Sequence, residues 1–250
     1  MACRRSIPSC WSAYRAMRLA LVDLARSSSI ATAPSPEARA VTNLLDSDWI
    51  AIDGTLDAID FDGFADDRSP AELARQVLNA YSRPGDWMLD PFAGLGTGLI
   101  TAQAMGRHCI GFEPNAARAD WVRERLWPPN RIIQAPIEAL GVHDVSRFAL
   151  VYTSPPYPMV NLEDDPWGPS YFEDMQAIFA SIAPHMAPGG RLVVEVSNIL
   201  TEDGYRLLVG QMAETIGRVF RLEREVVRIN TSGWPAGPGV QHSSLLIFGG

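Results

Sequence analysis

Residues 84–98 read PGDWMLDPFAGLGTG, and the fold is decided there. Trp87 to Leu89 is an apolar run of strand length that follows a Pro84-Gly85 turn. It ends in an acid, Asp90, and passes into a turn where Gly94, Gly96 and Gly98 remove side chains. Glycines at that place let a backbone turn tightly and come close to a ligand. A helix running to about Met105 follows. Strand, glycine-rich turn and helix in that order form the ligand-binding corner of an α/β sheet.

Outward from this corner the alternation continues. Upstream, Leu73, Val77, Leu78 and Tyr81 mark one face of a helix. Downstream the pattern predicts a strand over Cys109 to Phe112 and a helix from Ala116 to Leu126, stopped by Pro128 and Pro129. Strand cores follow at Ile132 and Ile133 and at Phe148 to Tyr152. Tyr171 to Met186 reads as a helix ended by Pro-Gly-Gly, and Leu192 to Val196 as a buried strand. A helix from about Tyr205 to Val219 precedes two last strands, near Leu222 to Ile229 and Ser244 to Phe248. The expected fold is α/β: a doubly wound, mostly parallel, Rossmann-like sheet with an antiparallel C-terminal edge hairpin. Residues 37–67 give no regular period. SSSIATAPSP, residues 27–36, is a small-residue linker. Before it, Trp11, Tyr14, Met17, Leu21 and Leu24 fall at helical spacing. Residues 1–36 are thus expected to be an appendage and linker, and 37–250 the main domain.

The chain has 250 residues, 47% of them hydrophobic, which suffices for one sizeable core. Its net charge of −8 argues against a grip on nucleic acid by bulk electrostatics, although a local basic groove stays open. All 21 basic residues are arginine, as a coding bias would produce. Cys3, Cys10 and Cys109 form neither a CxxC pair nor a disulfide framework, which fits a reducing, cytoplasmic setting. No stretch is long and apolar enough for a membrane span. His108, His143, His185 and His242 are too scattered to suggest a metal site.

Two constellations carry chemistry. A second strand ends in Glu113, about 20 residues beyond Asp90, a spacing suited to accepting hydrogen bonds from ribose hydroxyls. The glycine loop has no GK[ST], so it is not a phosphate cradle, and it lacks the last glycine of the dinucleotide fingerprint. An adenosine-type ligand without phosphate suits it. The other constellation is TSPPYP, residues 153–158, which follows the strand at Phe148 to Tyr152.

PGDWMLDPFAGLGTG resembles the cosubstrate signature of the amino-group DNA methyltransferases, PGD-x-hydrophobic-LDPF-x-G-x-GT, and SPPY resembles their catalytic signature. The resemblance spans roughly residues 64–250 and implies a class I S-adenosylmethionine-dependent methyltransferase domain. It implies that Asp90, Phe92, Gly94 and Gly96 surround the methionine part of S-adenosyl-L-methionine, that Glu113 holds its ribose and that Thr97 also belongs to the cosubstrate site. RSPAELARQVLNAYSRPGD, from Arg68, looks like the helix that precedes this signature, and Arg68 or Ser69 is then a candidate for the cosubstrate carboxylate. One departure stands out: where the family often has an aspartate for the adenine amino group, this chain reads QAPIEAL, with Pro136 near that position.

The chemistry explains the residue types. A ring-conjugated amino group is a poor nucleophile because its lone pair is delocalised. Ser154 and the carbonyl of Pro155 accept hydrogen bonds from its N–H groups and draw the nitrogen toward a tetrahedral state. Pro155 and Pro156 keep those acceptors rigid, so orientation supplies much of the rate. Tyr157 offers a flat face for a planar ring. Serine at the first position is typical of cytosine-N4 enzymes in the family, and aspartate or asparagine of adenine-N6 enzymes.

The family's sequence-specific DNA enzymes carry an added target-recognition region, and none is visible here. The loop after the catalytic motif holds Glu163, Asp164 and Asp165 and no base. Three readings follow. One is a compact DNA amino-methyltransferase with little sequence preference, or with specificity borrowed from a partner protein. Another is a methyltransferase acting on a small molecule, a free base or a protein side chain. The third is a non-catalytic cosubstrate-binding partner module.

Overall fold

A computed structural model describes residues 44–142, 147–158, 170–201, 204–232, 237 and 239–249. The chain divides into two units, one of residues 1–40 with 157–171 and one of residues 41–156 with 172–250. The expected amphipathic helix, the linker, the boundary at 36/37 and the acidic loop at 163–165 all lie outside the described residues.

The larger unit is built on an eight-stranded sheet. Its strands are β1 (Trp49–Ile52), β2 (Trp87–Asp90), β3 (His108–Phe112), β4 (Arg131–Ile133), β5 (Phe148–Thr153), β6 (Met186–Val196), β9 (Arg221–Asn230) and β10 (His242–Gly249). They lie in the order β1-β9-β10-β6-β5-β2-β3-β4. Two further strands, β7 (Ile199–Thr201) and β8 (Gly204–Arg206), form a separate antiparallel pair. Within the eight-stranded sheet, among the described residues, only β10 runs against its neighbours, pairing antiparallel with both β6 and β9. The expected hairpin is therefore present, but it is not the edge. β1 pairs in parallel outside β9, Trp49 opposite Val227 and Ile52 opposite Asn230, and covers it. Four residues are too few to announce themselves by period. Ile50 and Ile52 are nonetheless buried while Trp49 and Ala51 are exposed, the alternation of a half-buried strand.

The helices are α1 (Ala71–Tyr81), α2 (Thr97–Ala104), α3 (Ala116–Arg123), α4 (Tyr171–Ile182) and α5 (Leu208–Gly217). α1 begins behind Pro70, which has no N–H to lose there, and buries Leu73, Ala74, Val77 and Leu78. These side chains join Leu99 and Ala102 of α2 and Ala119 and Val122 of α3 in one core with Met88, Leu150, Val193 and Leu245 of the sheet. Successive strand residues point to opposite faces, so Leu89, Val151, Leu192 and Leu246, also buried, face the other way. α5 packs against β6, β9 and β10, burying Leu208, Met212 and Ile216.

Two expected boundaries move. Residues expected to open the helix near Tyr205 belong to β8, and α5 starts only at Leu208. The helix expected to reach Met186 ends at Ile182, and a single 3-10 turn over Ala183–His185, with Pro184 in it, leads into β6. The arginines of β9 divide: Arg221 and Arg224 pair with Glu223 and Asp48, while Arg228 is buried.

Candidate active site

Strand order reverses between β2 and β5. From β2 the chain proceeds through β3 to β4 in one direction, and from β5 to β6 in the other. At such a switch point the loops leaving the carboxyl ends of neighbouring strands diverge and leave a crevice. The loop after β2 is PFAGLG and the loop after β5 is SPP, so the two sequence motifs emerge side by side.

The glycine loop is held at both ends. Phe92 N–H donates to Asp90 Oδ1 at 3.1 Å, Ala93 N–H to the Phe112 carbonyl at 2.9 Å and Gly96 N–H to the Ala93 carbonyl at 2.7 Å. Gly94 and Gly96 have φ of +54° and +67°, the left-handed region that side chains disfavour. Gly96 is the N-cap of α2, and Thr97 is its first helical residue.

Asp90 sits at the base of the crevice, 7% exposed. Its Oδ1 also accepts from Thr153 Oγ1 at 2.7 Å, which ties the end of β2 to the residue just before Ser154. Burial pushes the Asp90 carboxyl up to about 7, with the Thr153 and Phe92 hydrogen bonds opposing and the nearby Glu113 charge adding. Glu113 follows β3 and is 8% exposed. Its Oε1 accepts from Asn115 N–H at 2.8 Å, and burial raises its carboxyl above the ordinary range. Asn115 in turn caps α3, its side chain accepting from Arg118 N–H at 3.1 Å.

Of the SPPY residues, Ser154 is partly buried, Pro155 buried and Pro156 exposed. Tyr157 is partly buried and belongs to the smaller unit. Arg68 and Ser69 lie directly before α1 with their side chains committed to the protein. Arg68 Nε donates to the Ala65 carbonyl at 2.7 Å and Nη2 to the Asp57 carbonyl at 2.9 Å. Ser69 Oγ donates to Glu195 Oε2.

Glu195 escaped sequence reasoning. It lies on β6 within VVEV, where a lone acid in an apolar strand was the available signal. It is 3% exposed, and its Oε1 accepts from Arg228 Nη1 at 2.6 Å and from Ser243 Oγ at 2.9 Å. Four strands and the start of α1 thus meet in one polar knot beneath the site: Ser69, Glu195, Arg228 and Ser243, with Tyr152 buried beside them. Among the described residues no group of three or more His, Cys, Asp or Glu is arranged to hold a metal ion. Among them, too, no helix is long and apolar enough to cross a membrane.

The fold has known counterparts. The sheet is that of a class I S-adenosylmethionine-dependent methyltransferase. Precorrin-6Y C5,15-methyltransferase from Geobacter metallireducens superposes with a TM-score of 0.52 at 14% identity, over 75% of this chain and 93% of that one. Within the fold, residues 66–124 match the family model described as DNA methylase. The type II methyltransferase M.MthZI of Methanothermobacter thermautotrophicus is 46% identical over 57 residues, 23% of this chain and 16% of that protein. The type II methyltransferase M.SmaI of Serratia marcescens is 42% identical over 57 residues, 23% of this chain and 20% of that protein. The chain therefore spans a fifth or less of the length of these curated relatives.

Proposed function

We propose that the chain is an S-adenosylmethionine-dependent N-methyltransferase whose acceptor is an exocyclic amino group of a DNA base, cytosine N4 before adenine N6. The observation that carries this reading is the Thr153–Asp90 hydrogen bond. It joins the cosubstrate motif and the SPP motif at the switch point of the sheet, as a transfer between two bound molecules requires.

The residues present fit the cosubstrate. Two buried carboxylates, Asp90 and Glu113, end adjacent strands, and the loop between β2 and α2 turns through two left-handed glycines. Glu113 would take the ribose hydroxyls, and Asp90, Phe92, Gly94, Gly96 and Thr97 would surround the methionine part. When bound, S-adenosylmethionine supplies an electrophilic methyl group on a positively charged sulfur. Ser154 and the Pro155 carbonyl accept the amino N–H hydrogens and aim the lone pair, and Pro156 restricts the loop. Tyr157 is assigned to stacking on the base. Arg68 and Ser69 are assigned to the cosubstrate only through the backbone they hold, because their side chains are already engaged.

A methyltransferase of the same chemistry acting on a small molecule or a protein side chain is the second reading. The net charge of −8 favours it, since phosphate binding needs clustered cations. Incubation with radiolabelled S-adenosylmethionine and unmethylated genomic DNA, followed by nucleoside analysis, separates the two. Label in N4-methylcytosine that is lost in Ser154→Ala is the expected result. Label in N6-methyladenine overturns the choice of base, and no label in DNA despite cosubstrate binding transfers the assignment to another acceptor.

A further inference from the structure

Between β1 and α1 the chain runs from residue 53 to residue 70 without regular structure, yet it is anchored at three places. Gly54 N–H donates to Asn230 Oδ1, buried at the carboxyl end of β9, at 2.9 Å. The middle of the segment lies on α3. Trp121 Nε1 donates to the Asp60 carbonyl at 2.5 Å, and Phe61 meets the Trp121 ring edge-on with centroids 6.3 Å apart. Arg118 Nη2 donates to the Phe64 carbonyl at 3.1 Å, and Arg118 Nη1 pairs with Asp67 at 2.9 Å. The segment then returns to Ser69, which is fixed to Glu195 near the end of β6. Between β9 and α3, in sheet order, stand the ends of β10, β6, β5, β2 and β3. The segment is thus a strap along the carboxyl edge of the sheet, where the ligand crevice opens.

Arg118 stands where the strap meets the glycine loop. A Cβ placed on Gly94 would lie 3.5 Å from Arg118 Nη1. The buried Glu113 carboxyl feels both members of the Arg118–Asp67 pair, the arginine drawing its pKa down and the aspartate pushing it up. The guanidinium therefore touches the strap on one side and the nucleoside end of the crevice on the other.

We infer that Arg118 is a positioning residue for the cosubstrate: it latches the strap of residues 54–69 over the glycine loop, and the latched strap is the binding-competent state. This inference rests on the cosubstrate reading above. Trp121 is a second latch, because Arg125 lies 3.6 Å over its ring and fixes the indole that donates to Asp60. A strap closed only a tenth of the time weakens apparent affinity about tenfold, with no contact to the ligand removed.

The test uses the full chain as wild type, Arg118→Met and Trp121→Phe. Calorimetry measures S-adenosylmethionine affinity, and hydrogen exchange of the free proteins measures strap protection. The expected result is an affinity about tenfold weaker in each variant, with faster exchange confined to residues 54–69 and an unchanged melting temperature. Wild-type affinity in variants whose strap exchanges faster overturns the inference and leaves the cosubstrate reading intact. Unchanged strap exchange in both variants also overturns it. A wild-type protein that binds no S-adenosylmethionine removes both readings together. Should Arg118→Met fail to fold, Trp121→Phe, which removes neither the Phe64 nor the Asp67 partner of Arg118, decides alone.

Discussion

Thr153 donates its hydroxyl hydrogen to Asp90 across 2.7 Å, and through that bond the last residue of one strand holds the last residue of the next. The acceptor is a carboxylate whose charge burial disfavours. Its ordinary value of 3.8 is raised to about 7, so in the folded state it holds its proton to near neutrality.

The pH dependence follows from that sign. A raised carboxylate contributes stability that is complete below pH 3.8 and lost as pH rises to about 7. Asp90→Asn keeps an acceptor for Thr153 and Phe92 but cannot ionise. It should therefore be more stable than wild type at pH 8 by ~1–4 kcal/mol, an advantage that shrinks to about a third at pH 5. Urea unfolding at the two pH values reads the difference. An equal gain at both would remove the Asp90 charge as its cause. S-adenosylmethionine binding should fall in the same variant, separating stability from function.

Glu195 and Arg228 are each 3% exposed, so removing one strands the other. Glu195→Ala should cost ~3–5 kcal/mol, because a buried guanidinium loses its counter-charge. Ser69→Ala, which removes one hydrogen bond to the same carboxylate, should cost less, roughly 1.5–3 kcal/mol. Glu195→Ala combined with Arg228→Met should recover most of the larger loss. Denaturant midpoints of the three proteins check the ordering, and a double variant no better than Glu195→Ala would reject the charge argument.

Gly94 and Gly96 share a left-handed backbone but not the same surroundings. A Cβ on Gly96 would meet Val122 Cγ1 at 2.9 Å, whereas one on Gly94 meets only Arg118 Nη1 at 3.5 Å. Gly96→Ala should cost about 2 kcal/mol or more, from backbone strain and overpacking together, and Gly94→Ala about 1 kcal/mol from strain alone. Thermal unfolding distinguishes them; equal losses would mean that Val122 yields freely.

Cys109 lies in β3 with no exposed surface, and burial pushes its thiol up to about 12. The peptide that contains it should stay unlabelled by iodoacetamide at pH 8 until denaturant is added. Labelling of the native protein at the rate of a free thiol would show that β3 opens.

The corner from Trp87 to Glu113 was legible because everything it needs is local. An apolar run, a glycine turn and an acid on the next strand lie within one βαβ unit, where period and spacing carry the signal. The place of Ser154, one residue beyond β5, was legible for the same reason. The strap was not. Its anchors join Asp60 to Trp121 and Gly54 to Asn230, and no periodicity links a carbonyl to an indole 61 residues away. Ser69 was read as a ligand residue, but its partner Glu195 lies 126 positions on, so only the fold reveals the donation. Arg228 was hidden in the same way: strand alternation turns it inward to Glu195, 33 positions back in the chain.

The parallel pairing of β1 with β9 sets an order of assembly. Trp49 lies opposite Val227 and Ile52 opposite Asn230, so the first strand described waits for nearly the last. At ~5–20 residues per second, a nascent chain leaves the ribosome roughly 10–35 s between the two. Through that interval Gly54 has no Asn230 to hold it, and the glycine corner can form while its covering segment hangs unfastened at one end. Maturation of the crevice is therefore completed only once β9 has arrived to pair with β1 and present Asn230.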